Sequence, residues 1–364
     1  MQNSSESKIT SYQLLCILTG TAIGIGLMDL PNQVTEIAKQ NGWVSVIIGG
    51  IYPLYIVYIA DILQNKFPDE NILQLSRKFL GKVFGNLLNL LFMFNFILYT
   101  TTVASGLTIL LSTFIMYFMS PIKLLVFIVS LGAISSYSGL RPLANINELI
   151  FVFTIVVALI PLVALGRGKL LNVLPLFDSS VESLFKASVE SCFSYGGIEI
   201  IFLFYPLVSD REKFKSYMLK GVLFLIILYS SLTFLTIYYC GIDLIKKSFW
   251  SILIATKSIE IPIINNFRFI FMFLWSIVNF KTISNSYFAS VFILKDMFKK
   301  LSIKKLSVIL FPFIVLMSSN YINEEARRTF LKFIVPKYTL FNIVFLTVIC
   351  LIGLLKKDGL NEEK

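Results

Sequence analysis

Apolar residues in this chain come in blocks of about 20, the length an α-helix needs to cross the hydrocarbon of a bilayer. Hydrocarbon offers the backbone no hydrogen-bond partners, so each block must satisfy its own peptide groups, as a helix does. Ten spans are expected, at about 12–38, 43–64, 83–112, 121–138, 148–165, 184–208, 217–240, 267–294, 305–320 and 338–355. The expected fold is an all-α polytopic membrane protein, one transporter-like domain over residues 1–364. No soluble core calls for this much apolar surface: 56% of the residues are hydrophobic and 34 are Phe. An even number of spans puts both termini on one side. The segments on that side carry the larger share of Lys and Arg, which places the termini in the cytoplasm. Residues 1–11 are polar and lack a small-residue cleavage site, so no signal peptide is expected. The net charge of +11 is loop charge scattered between spans. It suits anionic headgroups and is no argument for nucleic acid.

The chain contains no histidine. That removes His-based acid–base catalysis, Ser-His-Asp triads and most transition-metal sites. Cys16, Cys192, Cys240 and Cys350 fall in membrane segments at unrelated spacings and fit neither a disulfide framework nor a zinc motif. They read as apolar filling. No catalytic residue, metal or cofactor is expected.

Two spans are interrupted. The sixth carries Ser194-Tyr195-Gly196-Gly197-Ile198-Glu199 and closes at Pro206; the first carries Thr21-Ala22-Ile23-Gly24-Ile25-Gly26 and then Pro31. Glycines weaken a helix through backbone entropy and uncovered peptide groups. Unwound backbone survives in a membrane only where protein or a water-filled cavity satisfies it. An intramembrane Glu199 is likewise expensive and marks a site. The plainer alternative is a kinked helix, or glycines that only permit close packing. The first span of each half is broken at similar depth, which points to a 5+5 inverted repeat with its site at the midplane, the halves running over about 10–166 and 180–355. The symmetry is one of topology, since no residue-level repeat relates the halves.

Each break frees N–H groups where the outgoing half-helix starts and carbonyls where the incoming one ends. The former suit a carboxylate and the latter an ammonium or another cation. A small zwitterion such as an amino acid satisfies both. The third span brings Tyr99 and Val103 onto one face, one turn apart. The adjacent Thr100, Thr101 and Thr102 are expected to bond their own helix carbonyls. The eighth holds Asn279, Lys281 and Thr282 near its centre, and Lys281 is too deep to snorkel. Glu199 is its expected partner; the alternative sets the ammonium against the carbonyl end of the broken first span. The outer segment 246–266, with Phe249, Trp250, Ile252 and Leu253, is expected to form a short interfacial helix ahead of Pro262.

These features together resemble the B subunit of the nutrient germinant receptors of endospore-forming bacteria, a branch of the amino acid–polyamine–organocation superfamily. The resemblance covers nearly the whole chain. It rests on Gly24 to Pro31, Phe67-Pro68 with Leu80-Gly81-Lys82-Val83-Phe84-Gly85, and Tyr195-Gly196-Gly197-Ile198-Glu199 through Tyr205-Pro206. It continues in Ile261-Pro262 to Arg268 with Trp275, and in Phe280-Lys281-Thr282-Ile283-Ser284. The resemblance implies a nutrient pocket between spans one, three, six and eight, and Tyr99 and Val103 match its positions on span three. It also implies assembly with A-type and C-type subunits in the spore inner membrane, where nutrient binding triggers germination. Asp29 departs from the apolar residue expected before Leu30-Pro31.

The ligand-binding set read from the sequence is Ile23, Gly24, Ile25, Gly26, Tyr99, Val103, Tyr195, Gly196, Gly197, Ile198, Glu199, Asn279, Lys281 and Thr282. The expected function is nutrient sensing through a transporter-like fold, the nutrient an amino acid. A proton- or sodium-coupled amino acid permease is the competing expectation, and an enzyme is not expected.

Overall fold

The computed structural model describes residues 8–257, 267–321 and 323–359. Its α-helices are α1 (Ser11–Ala22), α2 (Ile25–Ala38), α3 (Gly42–Gly49), α4 (Ile51–Lys66), α5 (Ile72–Leu80), α6 (Lys82–Phe114), α7 (Pro121–Ser138) and α8 (Leu140–Leu159). They continue with α9 (Val181–Ser194), α10 (Ile201–Phe204), α11 (Phe214–Lys246), α12 (Ser251–Lys257), α13 (Phe267–Met297), α14 (Ile303–Ser319) and α15 (Glu324–Gly359). Among the described residues the only β-pairing is a single bridge between Ile9 and Val208.

Seven helical stretches among the described residues are long and apolar enough to cross a membrane: 25–66, 82–114, 121–138, 140–159, 211–246, 267–297 and 324–356. The expected first and sixth spans are broken into shorter pieces, and α14 has 17 residues; none of these three stands among the seven as a whole span.

Both ends of the described chain lie on one face of the bundle, the near face. There the Ile9 N–H donates to the Leu207 carbonyl (3.0 Å) and the Ile9 carbonyl accepts from Ser209 N–H (2.9 Å). Asp210 accepts from the Ser11 N–H at 2.7 Å, and Arg211 reaches Asp69, just past α4, at 2.6 Å. At the end of α15, Gly353 packs against Phe67 and Phe79. The end of α2, the end of α11 and the start of α15 therefore lie at the opposite, far face.

Three boundaries differ from expectation, each for a physical reason. The fifth span starts at Leu140, not near 148, because Arg141-Pro142 sits in the first turn of α8, where proline fits a helix. The last helix starts at Glu324, not near 338, because its polar first turns are held by side-chain ion pairs described below. The helix expected in the outer segment forms as α12, but Trp250, Ile252 and Leu253 are buried against the bundle and not laid on an interface. Ile261 and Pro262 lie outside the described residues.

Polar groups inside the bundle concentrate on α13, where Lys281, Thr282, Ser284, Asn285 and Ser286 are all buried. In a membrane such residues survive facing other helices, and here Thr282 and Asn285 bond the broken first span while Lys281 bonds α8.

Candidate functional site

The first break falls at Ile23 and Gly24, whose backbone is extended (φ −80°, ψ 98° and φ −142°, ψ −161°). Stopping α1 there frees its last carbonyls, and neighbouring side chains take them up. The Thr282 hydroxyl reaches the carbonyls of Gly20 (2.9 Å) and Ile23 (2.6 Å). Tyr229 donates its hydroxyl to Ala22 (2.8 Å), and deeper inside α1 the Asn285 amide donates to the Ile17 carbonyl (3.2 Å). Helix α13 comes this close because residue 20 is glycine: a Cβ there would stand 3.0 Å from Asn285 Nδ2 and 3.1 Å from Lys281 Cδ. The other side of the break is different. Helix α2 starts at Gly24 with no side-chain cap, and its first N–H groups form an end with partial positive charge.

The second break is a turn at Tyr195–Gly197 followed by a short 3₁₀ turn, Ile198–Ile200. Gly197 is left-handed (φ 95°) and lies against the Thr21 backbone. Here the chain supplies its own anion. Glu199 turns back so that Oε2 accepts the Gly197 N–H at 2.7 Å. Its other oxygen accepts the Asn342 amide at 3.1 Å and the Tyr52 hydroxyl. Gly197 thus faces the first break and not an open space, contrary to its place in the expected ligand-binding set. A Cβ at 197 would stand 2.9 Å from Thr21 Cγ2 and 3.1 Å from its carbonyl oxygen. Gly197→Val adds backbone strain of about 1–3 kcal/mol to that contact. It is expected to lower the yield of monodisperse protein in detergent; a normal size-exclusion profile would contradict the close packing of the two breaks.

The expected Glu199–Lys281 pair does not form. Lys281 is fully buried and donates to Thr154 Oγ1 on α8 at 2.5 Å, with its ammonium 6.0 Å from the Phe151 ring. Among the described residues it has no carboxylate partner. Helix α1 separates the two groups: Gly20 faces Lys281 and Thr21 faces Gly197. Nor does the ammonium close the carbonyl end of the first break, since the neighbouring Thr282 holds that place. Thr100, Thr101 and Thr102 bond carbonyls three or four residues back, as expected.

A cavity of about 580 Å³ runs from the breaks to the far face. Its inner part is lined by Thr21, Ala22, Gly24, Ile25, Gly26, Tyr99, Thr102, Val103, Ser194, Gly196 and Thr282, none of them charged. Its outer part is lined by Asp29, Glu36, Lys246, Lys247, Arg327, Arg328 and Lys332 among others. There Asp29 on α2 is clasped by α15. Arg327 Nη2 donates to Asp29 Oδ2 at 2.9 Å and to Glu324 Oε1 at 2.6 Å, and its Nε donates to Glu324 Oε2 at 2.9 Å. Arg328 donates to Asp29 Oδ1, to Glu324 Oε1 (2.8 Å) and to the Phe249 carbonyl. Two cations meet two carboxylates, and the side chain of Arg327 is only 1% exposed. Asn32, one turn beyond Asp29, donates to the Ile245 carbonyl at 2.8 Å and accepts from Ser251 at 2.8 Å. The far half of the broken span is thus tied to α15 and to the α11–α12 connection at once.

A family model described as spore germination protein matches residues 8–327. The chain belongs to the spore germination protein family. Spore germination protein YndE of Bacillus subtilis (strain 168) is 24% identical over 328 residues, which is 88% of this chain and 90% of that protein. Spore germination protein B2 of the same organism is 25% identical over 287 residues, 78% of each. Among solved structures, that of MhsT in complex with L-phenylalanine superposes with a TM-score of 0.71 at 13% identity, over 94% of this chain and 87% of that one. That likeness shows the fold alone. The expectations of family and of a transporter-like fold are borne out: this member of the family is a multi-pass membrane protein with a germinant-receptor subunit's architecture.

Within this member of the family the breaks bring seven of the expected binding residues to the cavity wall: Gly24, Ile25, Gly26, Tyr99, Val103, Gly196 and Thr282. Ile23, Tyr195, Gly197, Ile198, Glu199, Asn279 and Lys281 are buried or packed elsewhere and do not line it. Gly26 is helical, inside α2, and still lines the cavity. Sequence reasoning missed Thr21, Ala22, Thr102 and Ser194, which follow once the breaks are placed. It also missed Arg327 and Arg328, although their i+3 and i+4 spacing from Glu324 is a helical signal.

Proposed function

We propose that this protein is the nutrient-sensing membrane subunit of a germinant receptor, and that its cavity holds a small zwitterion, an amino acid being the simplest. The observation that carries the reading is the uncapped start of α2 opening onto an inner cavity wall without charged side chains. A ligand carboxylate meets the N–H groups of α2 there, and hydroxyls of Thr21, Thr102, Ser194 and Tyr99 are at hand for its amine. Tyr99, Val103 and Ile25 bound the side-chain end. Of the expected set, Glu199 and Gly197 act by shaping the second break, and Lys281 by organising α1, α8 and α13. The same reading takes the helices as ten crossings in two inverted halves, with both termini in the cytoplasm. It places the protein in the spore inner membrane beside A-type and C-type subunits, as a binding protein and not an enzyme.

A second reading, an amino acid permease, is favoured by the fold shared with MhsT. Two assays separate them. A deletion strain complemented with this chain and its neighbouring subunit genes is tested for germination on single amino acids, nucleosides, sugars and salts. Labelled uptake of the active compound into vesicles is then measured. Receptor function gives germination without uptake, and uptake without a germination defect in the deletion strain would overturn it. Val103→Phe intrudes on the side-chain end of the cavity. It is expected to raise the concentration of a large nutrient needed for half-response by tenfold or more, about 1.4 kcal/mol, while sparing a small one. An unchanged nutrient spectrum removes Val103 from the site.

A further inference from the structure

We propose that the near face carries a binding site for one anionic phospholipid, in the depression between α5, the start of α6 and the α13–α14 connection. The depression has a volume of about 480 Å³ and is lined by Arg77, Lys82, Asn86, Asp296, Lys299 and Lys300, with Met297, Phe298 and Leu301. Its one carboxylate is already neutralised: Arg77 grips both Asp296 oxygens, Nη2 to Oδ1 at 3.0 Å and Nη1 to Oδ2. Lys82, Lys299 and Lys300 are exposed and have no carboxylate partner among the described residues. Three uncompensated ammonium groups around one hollow match a phosphodiester, which offers one delocalised charge and several acceptor oxygens.

The apolar surroundings favour a lipid over a soluble phosphate or an acidic protein segment. Large apolar side chains stand exposed next to the cations: Val83 and Phe84 directly follow Lys82 on α6, Leu87 lies about a turn further on, and Phe298 precedes Lys299. A diacyl chain laid along them would cover that surface while its headgroup sits in the hollow. The walls are also rigid. Helix α5 is capped by Asn71, which accepts from the N–H groups of Leu73 and Gln74 (both 3.1 Å). It is locked to α6 by Asn89, whose amide donates to the Leu73 carbonyl (3.1 Å) and whose oxygen accepts the Ser76 hydroxyl (2.8 Å). On the other wall Lys295 donates to the Lys299 carbonyl at 2.6 Å, which fixes the turn that presents Lys299 and Lys300. A hollow with a fixed shape retains one headgroup; a flexible basic loop attracts many loosely.

The test uses the full chain reconstituted in vesicles of equal phosphatidylglycerol and phosphatidylcholine, extracted in mild detergent, with retained lipid quantified by mass spectrometry. The wild type is expected to retain phosphatidylglycerol in preference. The variant carrying Lys82→Gln, Lys299→Gln and Lys300→Gln should retain several-fold less. A charge-matched control carrying Lys8→Gln, Lys220→Gln and Lys356→Gln should match the wild type. Equal loss in both variants would mean diffuse attraction and would overturn the site. Displacement of the lipid by an equal concentration of soluble glycerol phosphate would assign the hollow to a free phosphate, and the proposal would fail. It would fail too if phosphatidylglycerol shows no enrichment, and a cross-link from Lys299 to a co-expressed subunit would then assign the face to a protein partner.

Discussion

Arg327→Met is expected to destabilise the protein by about 3–5 kcal/mol, the cost of breaking a buried ion pair by removing one partner. Arg327 sits between Asp29 and Glu324. Without it two buried carboxylates share the single cation of Arg328, and one negative charge is left uncompensated. Adding Asp29→Leu restores the balance, because Arg328 and Glu324 remain as a pair four residues apart on α15. The double variant is therefore expected to be more stable than Arg327→Met alone. The measurement is the temperature at which detergent-purified protein loses its monodisperse peak. Losses that add across the two substitutions would show that the four charges are not one unit.

Gly26→Leu is expected to abolish the germination response while leaving the protein folded. Gly26 lies inside α2 on the cavity wall, and a Cβ there would have no atom within 4 Å. Replacing glycine within a helix favours the helix by about 1 kcal/mol, so the isobutyl group enters space reserved for ligand without a penalty elsewhere. Half-response concentrations should rise at least a hundredfold, about 2.7 kcal/mol, with insertion and thermal stability unchanged. A normal response would mean that the ligand does not bind at the start of α2.

These two residues mark the limits of what the chain discloses unfolded. Gly24 and Gly26 could be read as an interruption because glycine in an apolar block is a backbone signal, independent of neighbours. The position of the break, at Ile23 and Gly24 and not at Pro31, follows from Thr282 and Tyr229, which receive the freed carbonyls from distant parts of the sequence. Glu199 and Lys281 looked like partners because depth was all that could be compared. Which side of α1 each faces depends on how three helices are rotated, and no spacing rule carries that. Arg327 and Arg328 were lost for another reason: a run of charged residues reads as a loop when only hydropathy is weighed. Asp29, out of place in its block, was the clue that a buried cation must exist to meet it.

One hydroxyl of α13 spans the end of the first helix. Thr282 lies between the carbonyls of Gly20 and Ile23, a position that a dissolved cation could otherwise fill. A hydroxyl keeps its proton and, being part of the chain, has no free concentration to track. The joint between α1 and α13 is thereby assembled from the chain's own groups as it folds. The end of the first helix is therefore held by a group whose supply is fixed by the sequence.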